Sequence, residues 1–276
     1  MRRVFQLGLL LLVSAPGIAG GGWTQGKGNG FFMVSQRFIG GSWYADDAAN
    51  IIQYDDMWAG VFSTHFYGEY GISNSFDVIL HSPFLTGALY EDQGMDLSLS
   101  EWGIGDIDLA VKYKLLSGNV NLATSLLLGI PTGSPKPPIT GNLMPVLGDG
   151  DFNQMLKLEL GSGLGNKGFM SAMVGFNNRT NMCSDEVHMS LELGYTIGKL
   201  TSIVKMYRLE SLENGNAAPA GIPGIYSNNI EYLALSPVFI YKKDNKGLIL
   251  DLGFAPYLRN IIASPSFTFG VFYELR

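Results

Sequence analysis

Between residues 104 and 115 the chain changes character at every step. Ile107, Leu109, Val111, Tyr113 and Leu115 fall on one face of an extended strand, and Asp106, Asp108, Ala110, Lys112 and Lys114 on the other. Period two is the mark of a β-strand whose two sides meet unlike surroundings. The pattern returns in Phe76, Val78 and Leu80 against Asp77 and His81, and in Leu156, Leu158 and Leu160 against Lys157 and Glu159. Val187, Met189, Leu191, Leu193 and Tyr195 oppose Glu186, His188, Ser190, Glu192 and Gly194 in the same way. The last such run, Phe267, Phe269, Val271 and Tyr273, ends close to the final residue, Arg276. Segments of about ten alternating residues suit a strand with one face in lipid and the other in a lumen. A soluble sandwich alternates as well, with its apolar face in a protein core, so alternation alone leaves both open.

The connections separate the two. Strands are expected near 28–39, 59–71, 75–84, 103–115, 119–129, 152–162, 167–177, 185–196, 199–208, 227–241, 246–256 and 265–274. Every second connection is short, around Ser73, Ser117, Asn166, Gly198 and Asn245, and the intervening ones include long stretches at 40–58, 85–102, 130–151 and 209–226. Strict alternation of short turns and long loops is what a barrel shows when one end faces the periplasm and the other the outside. A sandwich has no reason for it. The fold expected is all-β, a transmembrane antiparallel up-and-down barrel of about twelve strands, with both termini on the short-turn side.

Export fits this. Arg2 and Arg3, the apolar run from Val4 to Val13, and Gly17-Ile18-Ala19 read as a signal peptide over residues 1–19, leaving residues 20–276 as a single barrel domain. The apolar run is shorter than the ~20 residues of a spanning helix, and no later stretch approaches that length. A closed barrel is then the remaining way to satisfy every backbone group in lipid. Charged residues make up only 15% of the chain, so something other than water faces part of its surface, and 36 glycines with 12% aromatics favour strands and turns. Loss of Arg2 and Arg3 takes the formal charge from −6 to −8, which argues against nucleic acid as a partner. The single cysteine, Cys183, can form no intramolecular disulfide. No zinc spacing, phosphate loop or nucleophile elbow is present, and no cofactor is expected.

Several stretches resemble the outer-membrane barrel family named for the MetA pathway of phenol degradation, with its XagA-like members. They are Gly22-Trp23-Thr24-Gln25-Gly26-Lys27-Gly28, Gly105-Asp106-Ile107-Asp108-Leu109 running to Lys112-Tyr113, Pro131-Thr132-Gly133, Leu147-Gly148-Asp149-Gly150-Asp151 and Leu191-Glu192-Leu193-Gly194-Tyr195. The resemblance implies a porin-like or transporter-like barrel that passes small, often hydrophobic molecules across the outer membrane, with membrane lipids as its surroundings.

The residues expected to line the lumen are the polar members of the alternating runs. On the first half of the chain they are Arg37, His65, Glu69, Asp77, His81, Asp106, Asp108, Lys112 and Lys114. On the second half they are Lys157, Glu159, Glu186, His188, Glu192, Lys205, Glu231 and Asp251. Such a lining either coordinates a polar permeant or is an ion-paired filling that closes a narrow barrel. A three-residue turn at Ile72-Ser73-Asn74 would pair Gly71 with Ser75, Glu69 with Asp77 and His65 with His81. The two opposed carboxylates then call for a cation, which Lys112 or Lys114 can supply. The loop at 130–151 could fold inward or remain on the surface, and its two aspartates are too few for a calcium cage. Three functions are weighed. One is a channel for small hydrophobic or aromatic molecules, one a non-conducting scaffold for partner proteins, and one a lipid-modifying enzyme with His65, His81 or His188 as base. The last is disfavoured, because such an enzyme needs its site on the outer wall or rim.

Overall fold

A computed structural model describes residues 21–133, 147–180, 183–216 and 228–276. The expected signal peptide, and parts of the 130–151 and 209–226 connections, lie outside the described residues. The strands are β1 (Gly30–Gly41), β2 (Trp43–Ala45), β3 (Ile51–Gln53), β4 (Met57–Gly71), β5 (Phe76–Asp92), β6 (Leu97–Gly103), β7 (Ile107–Leu116) and β8 (Val120–Ile130). They continue as β9 (Asn153–Leu164), β10 (Gly168–Arg179), β11 (Glu186–Ile197), β12 (Leu200–Ser211), β13 (Glu231–Lys243), β14 (Lys246–Arg259), β15 (Ile261–Ile262) and β16 (Ser266–Leu275).

Twelve of them close into an antiparallel barrel in the order β4-β1-β16-β14-β13-β12-β11-β10-β9-β8-β7-β5, with β4 pairing β5 to complete the ring. These are the twelve segments that alternation marks. The stretches at 40–58 and 85–102, expected to be loops, are largely strand. β5 runs on to Asp92 and pairs with β4 down to Met57, so this hairpin rises beyond its neighbours. β6 pairs with the upper part of β5 and β7 with the lower. The single strand expected at 103–115 is therefore broken at residues 104–106. β2, β3 and β15 form a small separate sheet over the same end.

The two faces differ sharply. Val111 is 46% exposed and Leu191 37%, whereas their neighbours Lys112 and Glu192 are 2% and 4% exposed. On the outer wall near the short turns, Tyr70, Phe76, Tyr113, Tyr195, Tyr241 and Tyr273 are all exposed. An aromatic girdle of this kind marks one membrane–water boundary. Apolar side chains outside and polar ones inside invert the soluble arrangement, which decides between barrel and sandwich.

The interior is layered. Near the long-loop end an apolar cluster gathers Ile39, Val61, Tyr90, Tyr207, Tyr232 and Leu258 with Ile261 and Ile262 of β15 and the loop residues Leu147 and Ile230. Near the short turns a second one gathers Phe31, Met33, Tyr67, Ile203, Val238, Ile249 and Phe272. Between them the inward positions are polar, including Ser35, Ser63, His65, Ser125, Lys205 and Ser236.

Candidate functional site in the barrel lumen

The β4–β5 hairpin sets the geometry of the polar waist, and its register differs from the expected one. Gly71 pairs with Asp77, Glu69 with Ile79 and Tyr67 with His81, while a bulge after Thr64 places His65 against Pro83. The turn is two residues wider than a three-residue loop. Ile72 and Ser73 both donate their amides to the Phe76 carbonyl, and the Ser73 hydroxyl accepts from the amides of Ser75 and Phe76. A slip of two residues keeps every side chain on its face. Glu69 and Asp77 are thus inward but not directly opposed.

The cation is Lys112, which lies directly across from Asp77 in the β5–β7 ladder. Its ammonium donates to Glu69 at 3.0 Å and stands 4.0 Å from Glu159. Glu159 accepts in turn from the Ser125 hydroxyl, and Glu69 from the Tyr67 phenol at 3.2 Å. Lys114 points the same way but is only half-buried and takes no part. Burial of Lys112, Glu69 and Glu159 is tolerable because each is paired and hydrogen-bonded, whereas Asp77 keeps one buried oxygen without a partner among the described residues.

A row of four groups sits above them. The Ser63 hydroxyl is 2.5 Å from His65 Nε2, His65 Nδ1 is 2.8 Å from His81 Nε2, and His81 Nδ1 is 3.2 Å from Asp108 Oδ2. The two imidazoles stack with an interplanar angle of 8°. With Asp108 ionised, each donor has one acceptor in a single direction, from Ser63 to Asp108. Accessibility rises in the same direction, from Ser63 at 6% to the Asp108 side chain at 36%. A nucleophilic serine needs the opposite polarity, exposed at the hydroxyl and buried at the carboxylate.

Other expected residues fall into further groups. Arg37 is inward on β1, level with Ser63 and Thr268. Lys157 is half-buried opposite Ser125 and Gly175. Glu192 accepts from the Ser171 hydroxyl at 3.1 Å and faces Lys205 across the ladder, and Asp251 is level with Val238 and Thr268. Glu231 binds Arg259 at 2.9 Å and accepts from Tyr257. Asp106, expected on a strand face, instead lies in the break between β6 and β7. There it accepts from the Gly133 and Asp149 amides. Burial, reinforced by Asp149 and opposed by the Gly133 amide, pushes its carboxyl up to about 6.

Sequence reasoning missed two features. Arg179, the last residue of β10, gathers Asp149 and Glu186 at 2.7 Å each, with Asp151 at 3.7 Å. Glu186 also holds His188, whose other ring nitrogen meets the Tyr207 phenol. The end of the 130–151 loop is thereby drawn inward, with Leu147 and Asp151 almost wholly buried. No periodicity marks this, because the partners come from a loop ahead of β9 and from the ends of two different strands. The second feature is the segment ahead of β1. Gln25 donates its amide to Asp77 at 2.8 Å and its side chain to Glu69 at 3.3 Å, and the Trp23 carbonyl accepts from Lys112 at 3.5 Å. The Trp23 ring meets Phe169 edge-on and lies where a Cβ at Gly161 would be, and a Cβ at Gly21 would stand 3.0 Å from the Ser171 side chain on β10. β10 is six strands from β1 in a ring of twelve. Residues 21–29 therefore cross the lumen from one wall to the opposite one.

No family model matches the sequence, and no curated protein matches it. Solved structures do resemble it. A COG4313 outer-membrane channel from Pseudomonas putida F1 superposes over 95% of this chain and 99% of its own, with a TM-score of 0.66 at 13% identity. The NanC porin gives 0.52 at 8% identity, over 87% of this chain and 98% of its own. The KdgM porin gives 0.50 at 8% identity over the same shares. At such identities the likeness establishes the fold alone, a closed antiparallel barrel of the outer-membrane type.

Proposed function

We propose that this protein is an outer-membrane channel for the passive passage of small molecules, with hydrophobic and aromatic compounds as its preferred class. The observation that carries this reading is the layered lumen: a closed barrel lipid-facing outside, with apolar layers towards both ends, the long-loop one rich in tyrosine, and polar positions between them. A lumen for sugars or ions alone has no use for such layers, whereas an aromatic ring gains from Tyr90, Tyr207 and Tyr232. The COG4313 channel and the two porins supply the precedent of channels on this fold. The resemblance to the MetA-pathway family points to the same class of permeant. On this reading the chain is exported through cleavage after residue 19, its short turns face the periplasm, and its neighbours are membrane lipids.

The lumen-crossing segment favours one competing reading, a closed scaffold. The histidine row offers an enzyme little, since its serine is the buried end. The test is uptake of labelled benzoate and labelled glucose by porin-deficient cells expressing the protein, alongside planar-bilayer conductance of the purified barrel. Faster benzoate entry with unchanged glucose entry is expected, with small discrete conductance steps. Equal acceleration of both solutes refutes the preference, and absence of both uptake and conductance refutes the channel.

A further inference from the structure

We infer that the outer wall carries a binding site for one membrane phospholipid at the short-turn end, with the lipid phosphate held between Lys243 and Lys246. The inference concerns the outside of the barrel and stands apart from what passes through it.

The wall there is shaped. The ladders align outward residues of five adjacent strands into rows, and one row reads Phe66, Val34, Val271, Leu248, Tyr241. Its middle three side chains are small or aliphatic and its outer two are large rings, so the row forms a trough with an apolar floor and aromatic sides. The trough is a cavity of about 590 Å³. One row nearer the turns stand Phe32, Tyr273, Lys246 and Lys243. The next position along β4 in that row is Gly68, which leaves the corner beside Phe66 without a side chain.

The two lysines are the second observation. They are direct partners across the β13–β14 hairpin, both outward and both exposed. Like charges directly opposed in an antiparallel ladder are destabilising. Among the described residues neither has a carboxylate partner. Their neighbour Lys242 is committed to Glu274, at 2.5 and 2.6 Å. An anion between Lys243 and Lys246 would relieve the repulsion. The girdle tyrosines Tyr241 and Tyr273 mark the boundary of the hydrocarbon, so the lysines at the turn side of them stand at phosphate depth. A headgroup phosphate on the ammonium pair, with an acyl chain along Val34, Val271 and Leu248, matches both the charge and the apolar trough. A soluble anion would match only the lysines.

The test uses the purified barrel in detergent, titrated with palmitoyl-oleoyl-phosphatidylglycerol and read by native mass spectrometry. The matching diacylglycerol and inorganic phosphate serve as comparators. At about one headgroup interaction per lysine, phosphatidylglycerol should bind on the order of tenfold more tightly than diacylglycerol. The Lys243→Gln/Lys246→Gln protein should lose that advantage while keeping heat-modifiable mobility and wild-type conductance. Leu248→Trp, which fills the trough floor, should weaken both lipids, and Val204→Trp, outward on β12, should weaken neither. Equal binding of phosphatidylglycerol and diacylglycerol, or full retention by the double variant, overturns the site. Displacement of phosphatidylglycerol by millimolar inorganic phosphate also overturns it, since the pair would then be a site for free anions. Because conductance is recorded on the same variants, loss of lipid binding with normal conductance leaves the channel reading untouched.

Discussion

Replacing Lys112 by methionine keeps the length and most of the volume of the side chain while deleting the charge at the centre of the waist. Lys112 is 2% exposed and Glu69 1%, with 3.0 Å between the ammonium and the carboxylate. At that separation and an effective dielectric near 20, the Coulomb attraction is about 5 kcal/mol before the cost of burying the lysine is set against it. In the variant Glu69, Asp77 and Glu159 remain with no cation among them. Removing one partner of a buried pair costs about 3–5 kcal/mol, and the two further carboxylates place Lys112→Met toward the upper end. Lys114→Met, half-buried and outside the cluster, should cost less than about 1 kcal/mol. The assay is denaturant unfolding of barrels folded into phosphocholine vesicles, followed by tryptophan emission and gel mobility. Adding Glu69→Gln to Lys112→Met should recover part of the loss, with a coupling energy of about 1–3 kcal/mol in the double-mutant cycle. A Lys112→Met loss below about 1 kcal/mol with no coupling to Glu69 would mean that water screens the cluster, and the dry ion cluster would have to be abandoned.

Two further outcomes are expected. Arginine at Val111 or Leu191, both outward on mid-strand, should cost about 2–4 kcal/mol in the same vesicle assay, and a neutral result would place those faces in the lumen. Asp106, outside the strands, holds its proton up to about pH 6. Its folded carboxyl lies above the unfolded value near 3.8, so the folded state keeps the proton longer and stability should fall as pH rises from about 4 to about 6. Asp106→Asn, which has nothing to titrate but gives up one of the two amide contacts, should flatten that decline while lowering stability at acidic pH, whereas identical pH profiles of the two proteins would assign the decline elsewhere.

How much of this was legible beforehand follows from what periodicity can encode. The alternation around Val111 and Leu191 reports a two-sided environment, so it located all twelve barrel strands and turned Lys112 and Glu192 inward. It reports parity and nothing finer. Keeping Glu69 and Asp77 on one face requires an even register but does not choose between two even registers. The choice fell to the Ser73 hydroxyl, whose bonds to two following amides hold a wider turn. The extension of β5 was missed because Thr86, Ala88 and Tyr90 carry the inward face past the point where the outward one stays continuously apolar, Gly87 among it. Arg179 was invisible as a hub because its partners Asp149, Asp151 and Glu186 lie 30 or fewer positions away on different segments with no common period. Residues 21–29 have no alternation at all, and their crossing depends on contacts with strands far along the chain.

That crossing ties the ion cluster to passage. Three of the hydrogen bonds that hold the segment run to charged side chains, Asp77, Glu69 and Lys112, and hydrogen bonds to charged groups contribute about 1.5–3 kcal/mol each. The others lie at the β4–β5 turn, where the Gly28 amide donates to the Gly71 carbonyl at 2.8 Å, the Gly71 amide to the Asn29 carbonyl at 2.9 Å and the Lys27 amide to the Asn74 side-chain oxygen at 3.2 Å. The segment cannot swing out of the lumen by breaking these one at a time without leaving Asp77 or Glu69 buried and short of a donor. It can leave if water enters the waist and replaces them, or if the segment shifts as a body with Trp23 leaving Gly161. An apolar solute entering from the tyrosine-rich layer brings no donors for those carboxylates. If the barrel passes such solutes as proposed, the open side is the wall of β1, β16, β14, β13 and β12, where Met33, Phe272, Ile249, Val238 and Ile203 make the short-turn level apolar. At the short-turn level the lumen is thus charged on one side, where it fixes the segment, and apolar on the other, and the polar positions Ser35, Lys205 and Ser236 interrupt that apolar wall between the two clusters.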